Sequence, residues 1–155
     1  MAIVASIAIL VIVTLVLTLR QPAPTYQPEN SPTGVAHNYL LALQQKDYER
    51  AYGYLSTSLP GYPANSREFE QHVTRYSWSF RFDENTTVSI SDATISDERA
   101  TVHAVSSRFY SEGLFGSGVS SSNFDLQLRH KNGEWKIVQA DRYWANCWSQ
   151  TNGCR

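Results

Sequence analysis

The stretch "NFDLQLRHKNGEWKIVQADRYW", Asn123 to Trp144, carries the clearest structural signal in the chain. Apolar and polar residues alternate on both sides of Asn132-Gly133, a dipeptide suited to the two positive φ values of a type I′ hairpin turn. A two-residue turn sets the register by counting. Lys131 faces Glu134, Arg129 faces Lys136, Leu128 faces Ile137, Leu126 faces Gln139 and Phe124 faces Asp141. One face then carries Phe124, Leu126, Leu128, Trp135 and Ile137 and forms the core side, with Gln139 and Asp141 sharing it. The other pairs Arg129 with Lys136, like charges tolerable only where water screens them, so that face is wet.

Upstream, "TVSISDATI" and "ATVHAV" surround the turn-like "SDER" as a second hairpin, and "WSFRF" places Trp78, Phe80 and Phe82 on one side of a strand. "SEGLFGSGVSSSN" reads as a long mobile loop between strands. Before Trp78 the period is helical. Ser31 caps a first helix with Pro32 in its first turn, and Val35, Tyr39, Leu40 and Leu43 form its apolar stripe. Asp47 caps a second helix that buries Ala51, Tyr52 and Leu55. Asn65 and Glu68 have capping-box spacing at the start of a third, with Phe69, Val73 and Tyr76 as its stripe. The tyrosines at 48, 52 and 54 are read as core. Helices followed by strands that share an apolar face indicate an α+β domain.

The chain has 155 residues, enough for one ordinary domain, with 17% charged residues and a net charge of -1. Its basic residues are scattered, so nucleic acid is not expected as a partner. "AIVASIAILVIVTLVLTL", Ala2 to Leu19, has no charge; about 18 residues at ~1.5 Å each span roughly 27 Å, close to a bilayer core. Residues 1–20 are expected to be a single-pass transmembrane helix that keeps the protein at the membrane. Residues 21–31, rich in proline, are expected to be an extended linker that lifts the domain off it. The domain then occupies 32–145 and a tail 146–155. Arg20 alone would place the domain in the cytoplasm, but Cys147 and Cys154, the only cysteines, favour a disulfide and an extracytoplasmic side. Asn152-Gly153 supplies the turn that brings the two sulfurs together.

"HNYLLALQQKDYERAYGYLS", the helix near "REFEQHV", the antiparallel hairpins and the closing "NGEWKIVQA" together resemble the nuclear transport factor 2-like superfamily, from about Pro32 to Tyr143. That group includes ketosteroid isomerase, scytalone dehydratase, polyketide cyclases and many anchored extracytoplasmic domains. The resemblance implies a curved antiparallel sheet wrapped round a long helix, a cone-shaped roll with an internal cavity.

Inside such a cone Gln139, Asp141 and His103 are the ligand-binding candidates, Asp141 as a carboxylate whose pKa burial would raise. No tyrosine or second acid matches the oxyanion donors of the enolising members, so no residue is assigned catalysis. Motifs for zinc, nucleophilic serine or nucleotide phosphates are missing, and no metal or cofactor is expected. Tyr143, Trp144 and Trp148, in the aromatic stretch "DRYWANCWSQ", are read as an interaction surface that the disulfide holds in place. The favoured function is a membrane-anchored extracytoplasmic, non-catalytic binding module for a cell-envelope protein or component. The alternative is a small-molecule binder or an isomerase- or dehydratase-type enzyme using the cone cavity. Oligomeric state is not legible, a dimer being open.

Overall fold

A computed structural model of the chain describes residues 24–83, 85–112 and 116–154. The membrane span expected at Ala2–Leu19 lies outside them. Among the described residues no helix is long and apolar enough to cross a membrane.

Helix α1, Pro32–Gln45, starts at Ser31, whose Oγ accepts from the Gly34 N–H at 3.1 Å while Pro32 occupies the first turn. It ends where Lys46 turns left-handed at φ 60 and returns its N–H to the Ala42 and Leu43 carbonyls. Asp47 caps α2, Tyr48–Gly53, by accepting from the Arg50 N–H. Asn65 caps α3, Ser66–Arg75, by accepting from the Glu68 N–H, and the Glu68 carboxylate reaches back to the Ala64 N–H.

Four strands follow: β1 Thr86–Ser96, β2 Arg99–Glu112, β3 Gly116–Lys131 and β4 Glu134–Ala140. They form one antiparallel sheet in the order β1-β2-β3-β4. Beyond β4 the chain at 54–56 extends the sheet: Ser56 donates to the Ile137 carbonyl and Ile137 to that of Tyr54. Helix α1 packs on the inner face against β1, β2 and β4. Val35, Tyr39, Leu40 and Leu43 are buried there with Val102, Phe124, Leu126, Leu128 and Ile137.

The Asn132-Gly133 turn has both positive φ values, 56 and 84, and the pairs Lys131/Glu134, Arg129/Lys136 and Leu128/Ile137 form as counted. One step further the register slips. Gln127 pairs with Gln139 and Leu126 with Ala140, so Val138 is the extra residue of a β-bulge. The slip takes Gln139 off the core face, where it was expected, and leaves its side chain exposed. It also removes the Phe124/Asp141 pairing; the Asp141 N–H bonds the Asp125 carbonyl instead.

Two other strand-level expectations change. "WSFRF" is a run of turns rather than a strand: Phe80 is buried but Trp78 is 71% exposed. Most of "SEGLFGSGVSSSN" is not a loop, because β2 runs to Glu112 and β3 starts at Gly116. Paired backbone bonds outweigh the weak strand preference of serine and glycine here, and Tyr110 covers Gly118 from the opposite strand.

The C-terminal segment corrects the surface reading. Tyr143, Trp144 and Trp148 are 1%, 3% and 0% exposed, so they are interior side chains, not a contact surface. A 3-10 turn at Asn146–Ser149 delivers Trp148 onto Phe69, ring centroids 5.1 Å apart and nearly parallel, with the Trp144 ring edge-on at 4.9 Å and Phe80 at 5.7 Å. Its indole N–H donates to His72 Nδ1 at 3.0 Å. Gly61 donates to the Trp148 carbonyl, and a Cβ at Gly61 would strike the Cys147 carbonyl, so only glycine admits the tail this closely. Three large aromatic faces in a polar stretch look like a binding surface in sequence. In the fold their buried area closes the roll. The expected Cys147–Cys154 disulfide is formed, with Cα atoms 4.9 Å apart.

The proline-rich linker is also less free than expected. Asn38, fully buried, accepts from the Gln27 N–H at 2.7 Å and donates to the Gln27 carbonyl at 2.8 Å. Tyr26 lies under the Arg50 guanidinium, 3.4 Å from its ring centroid, and Glu29 accepts from Arg50 and the Tyr54 hydroxyl. Residues 25–29 are therefore a strap laid on α1 and α2.

Candidate functional site: a polar cleft at the end of the sheet

Along the inner face of β2 and β3 the side chains keep a period of two, but their chemistry changes midway. Val102, Ala104, Leu126 and Phe124 are apolar and buried; the next inward positions are Ser106 and Arg108 on β2, opposite Ser122 and Ser120 on β3. These four residues form one wall of a cleft of about 470 Å³. The segment between α3 and β1 contributes Trp78, Ser79, Arg81 and Asp83, and the chain after β4 contributes Asp141, Arg142 and Tyr143.

Asp83 lies between two arginines, 3.6 Å from Arg108 Nη2 and 3.8 Å from Arg81 Nε. Arg142 donates from Nη1 to Ser122 Oγ at 2.7 Å, and its guanidinium is 5.9 Å from the ring centroids of both Phe124 and Tyr143. Asp141 Oδ2 accepts from the Asp125 N–H at 3.1 Å. The cleft thus presents three guanidinium groups, two carboxylates and four serines, with Trp78 at its edge.

Tyr143 is the distinctive member. Its φ of 56 is unusual for a bulky residue, and flanking bonds impose it: its N–H donates to the Ser79 carbonyl and its carbonyl accepts from the buried Tyr39 hydroxyl at 2.6 Å. The ring stacks on Phe82 at 4.4 Å and meets the edge of Phe124 at 5.5 Å. Its hydroxyl is the one buried side-chain N or O atom without a hydrogen-bond partner among the described residues. A buried orphan hydroxyl costs about 1–3 kcal/mol. Tyr143 therefore joins a left-handed backbone and a buried, unpartnered hydroxyl in one residue that also contributes to the lining of the cleft.

The sequence candidates are not brought together. Asp141 lines the cleft as an exposed carboxylate rather than a buried one, while Gln139 and His103 stand on the outer face. His103 Nδ1 lies 2.8 Å from Asp125 Oδ1, its cross-strand partner, in an exposed pair. The hydrogen bond to Asp125 holds the imidazolium above its ordinary pKa, with a smaller contribution from the Asp92 charge. A raised pKa in a base means that this pair favours the fold at low pH, and the contribution fades as pH rises through the raised value. Asp125→Asn is expected to bring the His103 titration midpoint down, as read from its imidazole NMR signals. An unchanged midpoint would refute the pairing. Arg108 and Arg142 are legible in sequence only as rim partners of Asp141, and the serines at 106, 120 and 122 were missed; their signal is the alternation in "AVSSRF" and "SSSNF", where the inward positions turn from apolar to polar.

No family model and no curated protein matches the chain. Solved structures are similar to it at low identity. A SEC-C motif protein from Rhodopseudomonas palustris is 14% identical with a TM-score of 0.48, covering 76% of this chain and 83% of that one. A protein of unknown function with a cystatin-like fold from Nostoc punctiforme is 19% identical, TM-score 0.45, covering 68% and 82%. A protein with a ketosteroid isomerase-like fold from Catenulispora acidiphila, in complex with trimethylamine, is 13% identical, TM-score 0.43, covering 77% and 93%.

Proposed function

We propose that this chain is a membrane-anchored extracytoplasmic binding module, non-catalytic, that recognises a hydroxyl-rich component of the cell envelope in the polar cleft. The observation that carries the reading is the lining of the cleft, where three guanidinium groups, two carboxylates and four serines stand beside exposed Trp78. Exposed Trp78 offers a flat apolar face on which a sugar ring can stack, while serines, Asp141 and Arg142 answer its hydroxyl groups. The isomerase- or dehydratase-type alternative would use the same cleft, but no general base paired with oxyanion donors has been assigned there.

The test titrates the full chain with soluble amino-sugar oligosaccharides and follows the Trp78 indole N–H signal. A saturable shift is expected. Ser120→Ala, at an exposed lining position, should weaken binding by about 3–10-fold, the worth of one neutral hydrogen bond, whereas Tyr143→Phe should leave stability level or raise it by up to ~1 kcal/mol as the orphan group disappears. An unmoved Trp78 signal, or full affinity in Ser120→Ala, would end this reading.

A further inference from the structure

At the other end of the strands the outer face carries a second arrangement. Arg99 on β2 faces Arg129 on β3, and Arg129 faces Lys136 on β4, three cations in register across three strands. Like charges placed directly opposite one another destabilise a sheet. Lys136 is partly answered, donating to the Gly53 carbonyl at 2.8 Å and lying 3.0 Å from Glu134. Neither Arg99 nor Arg129 has a carboxylate partner among the described residues. The row opens into a depression of about 860 Å³ whose far side is the chain after Leu55; Lys131 and His130 add to its basic lining, and Glu98 and Glu134 are its two carboxylates. There Ser56 and Ser58 hold their hydroxyls 2.8 Å apart, beside Thr57. Arg108 of the cleft lies nine positions along β2 from Arg99, about 30 Å of strand, so the two sites are distinct.

We propose that this depression is a binding site for a phosphate-type oxyanion. The two arginines meet it with planar forks of N–H donors, Lys136 adds a point charge, and the Ser56–Ser58 hydroxyls close the opposite side. The repulsion along the row is relieved when the anion arrives, so bound charge and fold stabilise each other. A soluble phosphate ester and an anionic lipid headgroup carry the same recognised chemistry.

The experiment uses the full chain in nanodiscs of neutral phosphatidylcholine, with NMR detection of arginine side-chain N–H groups and the Ser56 and Ser58 amides. Pyrophosphate added to these discs is one arm; discs containing phosphatidylglycerol, without pyrophosphate, are the other. Saturable shifts at Arg99 and Arg129 in the first arm identify a soluble ligand, and the same shifts in the second a headgroup. Arg129→Ala should weaken binding at least about tenfold, as expected for losing a hydrogen bond to a charged group. It should also move the urea midpoint upward, because a repulsive neighbour is gone. Arg129→Lys should retain part of the affinity. Shifts spread evenly over all basic side chains, no shift in either arm, or undiminished binding in Arg129→Ala would each overturn the site.

Discussion

Replacing Trp148 with alanine is expected to destabilise the domain by about 3–5 kcal/mol, the range for truncating a large aromatic in a packed interior. Typical domains have about 5–15 kcal/mol in all, so the variant should sit close to unfolding. The side chain is fully enclosed by Phe69, Trp144 and Phe80. Its N–H also finds His72, which burial holds below the ordinary histidine pKa, while Glu68 opposes and Arg75 adds to that depression. Neutral His72 can accept at Nδ1, and protonation would replace that acceptor with a donor. Trp148→Phe, which keeps the stack and loses the bond, should fall between wild type and alanine. Urea unfolding followed by circular dichroism measures all three; a cost below ~1 kcal/mol for alanine would mean that the tail is not part of the core.

Opening the disulfide is expected to cost about 2–3 kcal/mol from loop-closure entropy. The closed segment contains Trp148, so this restraint acts on a core side chain rather than a loose end. Cys147→Ser with Cys154→Ser should lower the urea midpoint accordingly, and reductant should do the same to the wild type. Equal midpoints would show that the bond constrains nothing the fold uses. Alkylation before lysis and mass spectrometry add the compartment: protection of both sulfurs in protein from its native membrane supports export, and two alkylated thiols would remove that support.

Helix starts and the hairpin turn were legible because each depends on local chemistry. Ser31, Asp47 and Asn65 cap, and Asn132-Gly133 supplies the positive φ. The bulge at Val138 has no local signature in the sequence, and one residue of slip decides where Gln139 points. The tail was misread for a related reason. Its aromatics have no period, and what buries them is the space between α3 and the sheet, which only the assembled fold defines. The cleft was half legible: Asp141 was singled out, but its company of arginines and serines depends on inward positions that turn polar beyond Ala104 and Phe124.

The strap at residues 25–29 also sets how the domain responds to force. Tension on the chain ahead of Pro24 reaches the Gln27 bonds to Asn38 and the Glu29 contacts with Arg50 and Tyr54 before it reaches any strand. Those contacts share the load, and each residue they release adds about 3.5 Å of slack. Peeling residues 25–29 would break these contacts and leave the pairing of β1 to β4 intact, because none of them involves a strand.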